Sequence, residues 1–419
     1  MKQYIVSLLA MIFCLQVASQ EVNYDEKKVQ KYKLPSLLVC ENGRKVKTAT
    51  EWEKTRRHEI MSMFSEQMYG KTPRQKFQTT YETISENDND LDGKAYSKQV
   101  NITLHSGSAT HILQLLVYYP KNVRGKIPMF VTYNFNGNHS ISPDPYIIFS
   151  ESVKKVTDTN KPPVARGANS DRFPLKMIIT EGYGFVTLCY HDVYPDAADM
   201  RESSVLKMFG GYERNKNNPA YWNAIGAWAW GTSRVMDFLE TEKCVDIKKV
   251  VIMGHSRQGK AALWCGAQDQ RFAIVISNNS GCGGAALSKR VFGENIKVIT
   301  NTFPHWFCKN FNQYAGGEDK LPFDQHELIA LIAPRPVYVA SAQDDAWADP
   351  KGEFLAAAYA GEVYKLYGLD GLNISVMPPL HTPIMNQIGY HIRAGKHGVT
   401  EYDWKNYIQF ANKHFYGSK

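Results

Sequence analysis

After its first residues the chain has no long apolar run. No later segment reaches the ~18 uninterrupted apolar residues of a spanning helix, which excludes a membrane span in the mature chain. Basic blocks interleaved with aromatics are also missing. The 49 basic and 41 acidic residues leave a formal charge of +8, too diffuse for a nucleic-acid footprint. No cysteine shows CxxC spacing, so a structural zinc site is not expected. His326 heads no zinc motif either, because Ala330 stands where the second histidine would be. No internal repeat or linker appears. The 30 glycines and 19 prolines are spread along the chain, which excludes collagen-like and low-complexity classes.

What is present is a 419-residue chain, 43% hydrophobic, enough to bury one large core or two ordinary ones. Its 12% aromatic share fills cores and also suits stacking on sugar rings. The start reads as a targeting segment. Lys2 is followed by the apolar stretch Tyr4–Val17 and by the small residues Ala18 and Ser19. We expect residues 1–19 to be a signal peptide and the mature chain to begin near Gln20, secreted to the periplasm or outside the cell. Cys14 lies inside this segment, without the small residues that precede a lipidated cysteine.

The pattern beyond it predicts a helix over Thr48–Tyr69 and antiparallel strands near Phe77–Ile84 and Ser97–Leu104. Short continuous apolar runs then alternate with helical segments. The runs are Ile112–Tyr119, Pro128–Phe135, Gly184–Tyr190, Val250–Gly254, Ala273–Ser277, Val337–Ala340 and Ile388–Ile392. Such runs are buried on both faces, as in a helix-covered parallel sheet. Ala224–Glu240 and Arg257–Gln268 read as helices between them. The expected fold is one α/β domain with a mixed, mostly parallel central sheet, its function at the carboxyl ends of the strands.

One such end is Lys249-Val-Val-Ile-Met-Gly254-His255-Ser256-Arg257-Gln258-Gly259-Lys260. A buried strand enters a Gly-x-Ser turn that opens a helix, the arrangement of a nucleophile elbow. The spacing is G-x-S-x-x-G rather than G-x-S-x-G. A serine at a helix amino end has the helix dipole and a free backbone N–H beside it. A base should follow in the sequence. His305, His326, His381, His391, His397 and His414 come after Ser256. His391 lies within the last apolar run, whereas His397 lies in the loop after it, between Gly395 and Gly398, and is preferred by position. The loop after Val337–Ala340 offers Asp344, Asp345 and Asp349 as the acid, Asp349 doubling as a helix N-cap before Pro350.

These residues, with others in order along nearly the whole mature chain, resemble the glucuronoyl esterases, and the bacterial branch in particular. The matching pieces include Asn23-Tyr-Asp-Glu26, Lys33-Leu-Pro35, Arg56-Arg57, Asn134-Phe-Asn-Gly-Asn-His139, Gly254–Lys260 and Asn279-Ser-Gly-Cys-Gly-Gly284. Further pieces are Phe292-Gly-Glu294, Phe303–Cys308, Leu321–His326, Trp347-Ala-Asp-Pro350, Tyr390–Arg393 and His397. The resemblance implies an α/β-hydrolase fold, a three-layer sandwich. Residues 20–419 would form a single domain with an N-terminal extension (about 20–110) packed on it. It also implies a serine esterase that cleaves the ester between lignin alcohols and 4-O-methyl-glucuronate of xylan. Glucuronoxylan or a lignin-carbohydrate ester would be the substrate, with no metal or organic cofactor and a monomeric enzyme.

By the same resemblance Ser256 is the nucleophile, His397 the base and Arg257 the oxyanion stabiliser, through its backbone N–H and its guanidinium. Lys260 would hold sugar hydroxyls, and Glu294 and Trp347 would contact the uronate ring. Many members carry the triad acid as a glutamate just before Ser-Gly-x-Gly-Gly. Here Asn279 stands there, so the acid is expected from the later loop, at Asp345. Rival functions are an acetylxylan esterase or peptidase on the same fold, and a non-catalytic carbohydrate-binding protein. Six cysteines remain after the leader, and Cys282 and Cys308, both flanking site segments, are expected to pair.

Overall fold

The structure is a computed structural model that describes residues 22–156 and 164–417; the expected signal peptide lies outside the described residues. Its centre is a ten-stranded sheet in the order β1-β2-β3-β5-β4-β6-β7-β8-β10-β9. β1 (Gln78–Asn89), β2 (Ala95–Ser106) and β3 (Ala109–Pro120) form an antiparallel flank. β4 (Ile127–Asn134), β5 (Gly184–Cys189), β6 (Val245–His255) and β7 (Ile274–Asn278) are mutually parallel neighbours. β8 (Val337–Ala342) and β10 (Ile388–Arg393) continue them. The sheet is thus mixed and mostly parallel, with helices on both faces: an α/β-hydrolase fold. β4, β5, β7, β8 and β10 are buried at every position, which is why they read as unbroken apolar runs.

Two details differ from the sequence pattern. β3 reads as a parallel strand because its second half is continuously buried, yet it runs antiparallel to both β2 and β5. Burial on two faces requires layers above and below a strand; it does not fix the direction of its neighbours. The short edge strand β9 (Ile384–Met385) carries too few residues to show a period.

The early helix begins where its capping residues say. Thr48 accepts from Glu51 N–H, and the Glu51 carboxylate returns to the Thr48 N–H. The segment then widens into a π-helical stretch, Trp52–Arg56, before continuing over Arg57–Gln67. That stretch buries Trp52 and Arg56; Arg56 pairs with buried Glu327 at 2.8 Å. Among the described residues no helix is long and apolar enough to cross a membrane.

The expected Cys282–Cys308 disulfide is not formed; all six described cysteines are free. Cys308 Sγ faces the Glu66 carbonyl at 3.6 Å instead. Burial pushes the Cys308 thiol up to about 11 and the Cys282 thiol well above its ordinary value. Both therefore stay protonated and slow to oxidise. Thiol titration of the mature chain, unfolded without reductant, should count all six of these cysteines; a count two lower would restore the disulfide.

Candidate active site

The carboxyl ends of β6, β7, β8 and β10 converge on one cavity of about 320 Å³. Ser256 stands at the turn between β6 and the Arg257–Gln268 helix, with φ 58° and ψ −128°. This sparsely populated backbone conformation is held by its surroundings. Ser256 N–H donates to the Asn278 carbonyl at 2.8 Å, locking the turn to β7. A Cβ at Gly254 would come within 2.0 Å of the Gln258 carbonyl, so the turn accepts only glycine there. Gly259 is required for another reason: its Cβ would meet Ser280 Cβ at 2.8 Å. The close approach to the β7 turn falls at position 259, which explains the extra residue in G-x-S-x-x-G.

Asp345 and His397 line the same cavity as Ser256. His397 Nδ1 bonds Asp345 Oδ2 at 2.6 Å, and Asn279 Nδ2 donates to the same oxygen at 2.8 Å. Burial disfavours the charged form of Asp345. The bonds and charge of His397, with the Asn279 amide, outweigh it and hold the carboxyl below the usual carboxylate range. Asp344, the neighbouring candidate, is exposed. Asp349 caps the Pro350–Leu366 helix by accepting from Gly352 N–H. His391 is fully buried and pairs with Asp403 at 2.8 Å.

Arg257 is the first residue of its helix, so its N–H has no intrahelical acceptor. Its guanidinium lies 4.8 Å above Trp306 and 5.4 Å from the Phe303 ring, and one nitrogen binds Asp196. Its Nε is buried with no partner among the described residues, an unspent donor. Lys260 is only 3% exposed, which no solvated helix lysine would be. Its ammonium donates to the Ser280 carbonyl at 2.5 Å and sits 3.7 Å from Glu294. Burial raises the Glu294 carboxyl above its ordinary range, opposed by Lys260, Trp347 and Arg257. Trp347, 41% exposed, forms the open rim. The structure thus brings together every site residue expected from the sequence. A larger hollow of about 900 Å³ lies at the opposite end of the sheet, by Lys126 and Lys413, and contains none of them.

Two buried carboxylates escaped sequence reasoning. Asp196, just past the end of β5, accepts from Arg257, Trp306 (2.7 Å) and the Tyr190 hydroxyl (3.0 Å), and pairs with His305 (2.7 Å). Its position after a buried strand was its only signal. Glu353 lies inside the Pro350–Leu366 helix, where the sequence suggests nothing unusual. It accepts from Ser280 N–H (2.7 Å), Gly281 N–H (3.0 Å) and the Ser341 hydroxyl (2.6 Å).

An α/β-hydrolase fold with Ser256, His397 and Asp345 lining one cavity fits a hydrolase, and its relatives make the class a carboxylic ester hydrolase. The family profile described as fungal glucuronyl esterase matches residues 143–368. The carbohydrate esterase MZ0003, of an unknown prokaryotic organism, is 43% identical over 403 residues, covering 94% of this chain and 92% of that one. The solved glucuronoyl esterase from Solibacter usitatus is 40% identical, with a TM-score of 0.87, over 93% of this chain and 100% of that one. A 4-O-methyl-glucuronoyl methylesterase of Wolfiporia cocos is 35% identical over 158 residues, 35% of this chain and 38% of that one. The chain belongs to the glucuronoyl esterase family.

Burial lifts the Glu353 carboxyl to about 8, with the Ser341 hydroxyl and two backbone amides opposing. The folded state therefore keeps this proton up to about pH 8, whereas the unfolded chain releases it near 4.5. Between those values the unfolded state binds fewer protons, so stability falls as pH rises. Glu353→Gln keeps an acceptor for the two amides and removes the titration. Its Tm should decline less than that of the wild type between pH 5 and pH 8; parallel curves would show that Glu353 is ionised throughout.

Proposed function

We propose that the chain is a secreted serine esterase that hydrolyses the ester joining glucuronate, or 4-O-methyl-glucuronate, of xylan to lignin alcohols, through an acyl-enzyme. The observation that carries this reading is the Asp345–His397 bond of 2.6 Å beside Ser256, in the cavity that also holds the Lys260–Glu294 pair. In this reading residues 20–419 act as one monomeric hydrolase domain, with the N-terminal extension packed on it.

Ser256 attacks the uronate carbonyl while His397 takes its proton and passes it to the leaving alcohol. Asp345 holds the Nδ1 side of the ring, leaving Nε2 for the serine, and stabilises the imidazolium. The ester carbonyl is neutral until attack. Negative charge then grows on its oxygen, and the N–H groups of Arg257 act most strongly at that point. A water activated by His397 releases the uronate from Ser256. Sugar specificity comes from buried Lys260 and Glu294. They face each other at 3.7 Å, one a donor and the other an acceptor for vicinal hydroxyls. The rim indole of Trp347 adds an N–H. The names of the relatives support the ester class.

Benzyl glucuronate should be hydrolysed well and acetylated xylan poorly; the reverse preference would assign the chain to acetyl esters. Ser256→Ala and His397→Ala should each lose on the order of 10³-fold or more in kcat with the fold intact. Near wild-type turnover in either would reject the assignment. Asp345→Asn should cost roughly 10²–10⁴-fold in kcat. Adding Asn279→Glu should recover part of this, since a carboxylate would again face the imidazole. Full activity in the single variant would remove Asp345 from the mechanism.

A further inference from the structure

The Asn23-Tyr-Asp-Glu26 segment has no part in the chemistry above, yet it is bonded to the loops that carry Glu294 and Trp347. The Gly293 N–H, next to Glu294, donates to the Asn23 carbonyl at 2.8 Å. The Glu294 N–H donates to the Trp347 carbonyl at 2.9 Å. Tyr24 packs edge-on against Phe292 at 6.3 Å. Beneath these contacts Arg290, whose side chain is 3% exposed, bridges two carboxylates. It donates to Asp349 at 2.8 Å, where the Trp347 loop ends, and to Glu26 at 2.6 Å. The other Glu26 oxygen takes Lys351 at 2.7 Å.

We infer that the N-terminal segment Asn23–Glu26 is a brace that sets the spacing of Glu294 and Trp347, making Glu26 and Arg290 positioning residues for recognition of the uronate ring. The inference rests on the proposed role of Glu294 and Trp347 in binding that ring. Three pieces of chain distant in sequence meet at Arg290, and Arg290 has a carboxylate on each side. The Trp347 loop supplies buried Asp349, and the N-terminal segment supplies Glu26. With Glu26 removed, the segment keeps its backbone bond to Gly293 and the Tyr24–Phe292 contact but loses both ion pairs, to Arg290 and to Lys351. The brace lies outside the Ser256–His397–Asp345 cluster, so its loss should reach sugar binding and leave the nucleophile alone.

The test compares Glu26→Ala and Glu26→Lys with Glu26→Asp and with Glu294→Gln in the full chain. Substrate kinetics use benzyl glucuronate; the labelling rate of Ser256 by a fluorophosphonate reports the nucleophile without a sugar. Glu26→Ala and Glu26→Lys should raise KM about fivefold or more with kcat within about twofold, and label Ser256 at the wild-type rate. Glu26→Asp should recover part of the KM. An unchanged KM in both Glu26→Ala and Glu26→Lys, while Glu294→Gln raises it, would overturn the brace alone. Equal loss of labelling and of turnover would also overturn it, by showing a merely structural role. An unchanged KM in Glu294→Gln would overturn the uronate-site reading, and the inference with it.

Discussion

The buried carboxylate of Glu353 gathers the N–H groups of Ser280 and Gly281 and the hydroxyl of Ser341. It thereby ties the turn after β7 to the end of β8, and the site depends on that tie. Asn279, held at φ 45° just before the two amides, points its own amide at Asp345. Asp345 in turn aims His397. A carboxylate with no place in the proposed chemistry thus fixes the orientation of the one proposed as acid. Burial, and to a lesser degree the charge of Asp345, push the Glu353 carboxyl up to about 8, whereas the bonds to His397 and Asn279 hold Asp345 below the usual carboxylate range.

The cavity distributes charge by pairing. Arg257 has Asp196, and Lys260 has Glu294. Neither cation is an uncompensated buried charge, which would be costly. The pairs leave little net field to attract any passing anion. What remains are directed donors: the Arg257 backbone N–H, its buried Nε, and the Lys260 ammonium. Such groups favour a reaction in which charge appears at a defined point during the reaction, rather than a substrate already charged there. The Phe303–Trp306 stack, with ring centroids 3.7 Å apart, packs against the guanidinium, whose carbon is 4.8 Å from the Trp306 ring centre.

Much of this was legible in the sequence because it is local. Buried strands announce themselves as apolar runs, and a strand entering Gly-x-Ser before a helix marks an elbow whatever the tertiary structure. His397 followed from loop position. What stayed hidden depends on pairings between distant segments. Glu353 looks like any helical glutamate until the β7 turn is laid over it. Asp196 gains its meaning from Arg257, and Glu26 from Arg290. Asn279 read as a deficit, a missing negative charge; in three dimensions it is a donor that helps keep Asp345 ionised. The Cys282–Cys308 expectation failed similarly. Closeness to one cavity in sequence terms does not bring two sulfurs together, and burial keeps both thiols inert.

Ser280 shows why the elbow departs from the common spacing. Gly259 packs directly against the Ser280 side chain, where even a methyl would intrude. The next residue, Lys260, donates to the Ser280 carbonyl, and the Ser280 N–H is held by Glu353. One residue of the β7 turn therefore ties together three elements: the helix after Ser256 through Gly259, the Lys260 ammonium, and the Pro350–Leu366 helix through Glu353. In a G-x-S-x-G turn the glycine would fall one place earlier, and the side chain at position 259 would push the helix off Ser280. The unusual spacing and the buried Lys260 therefore meet at one residue: Gly259 packs on the Ser280 side chain, and Lys260 donates to the Ser280 carbonyl.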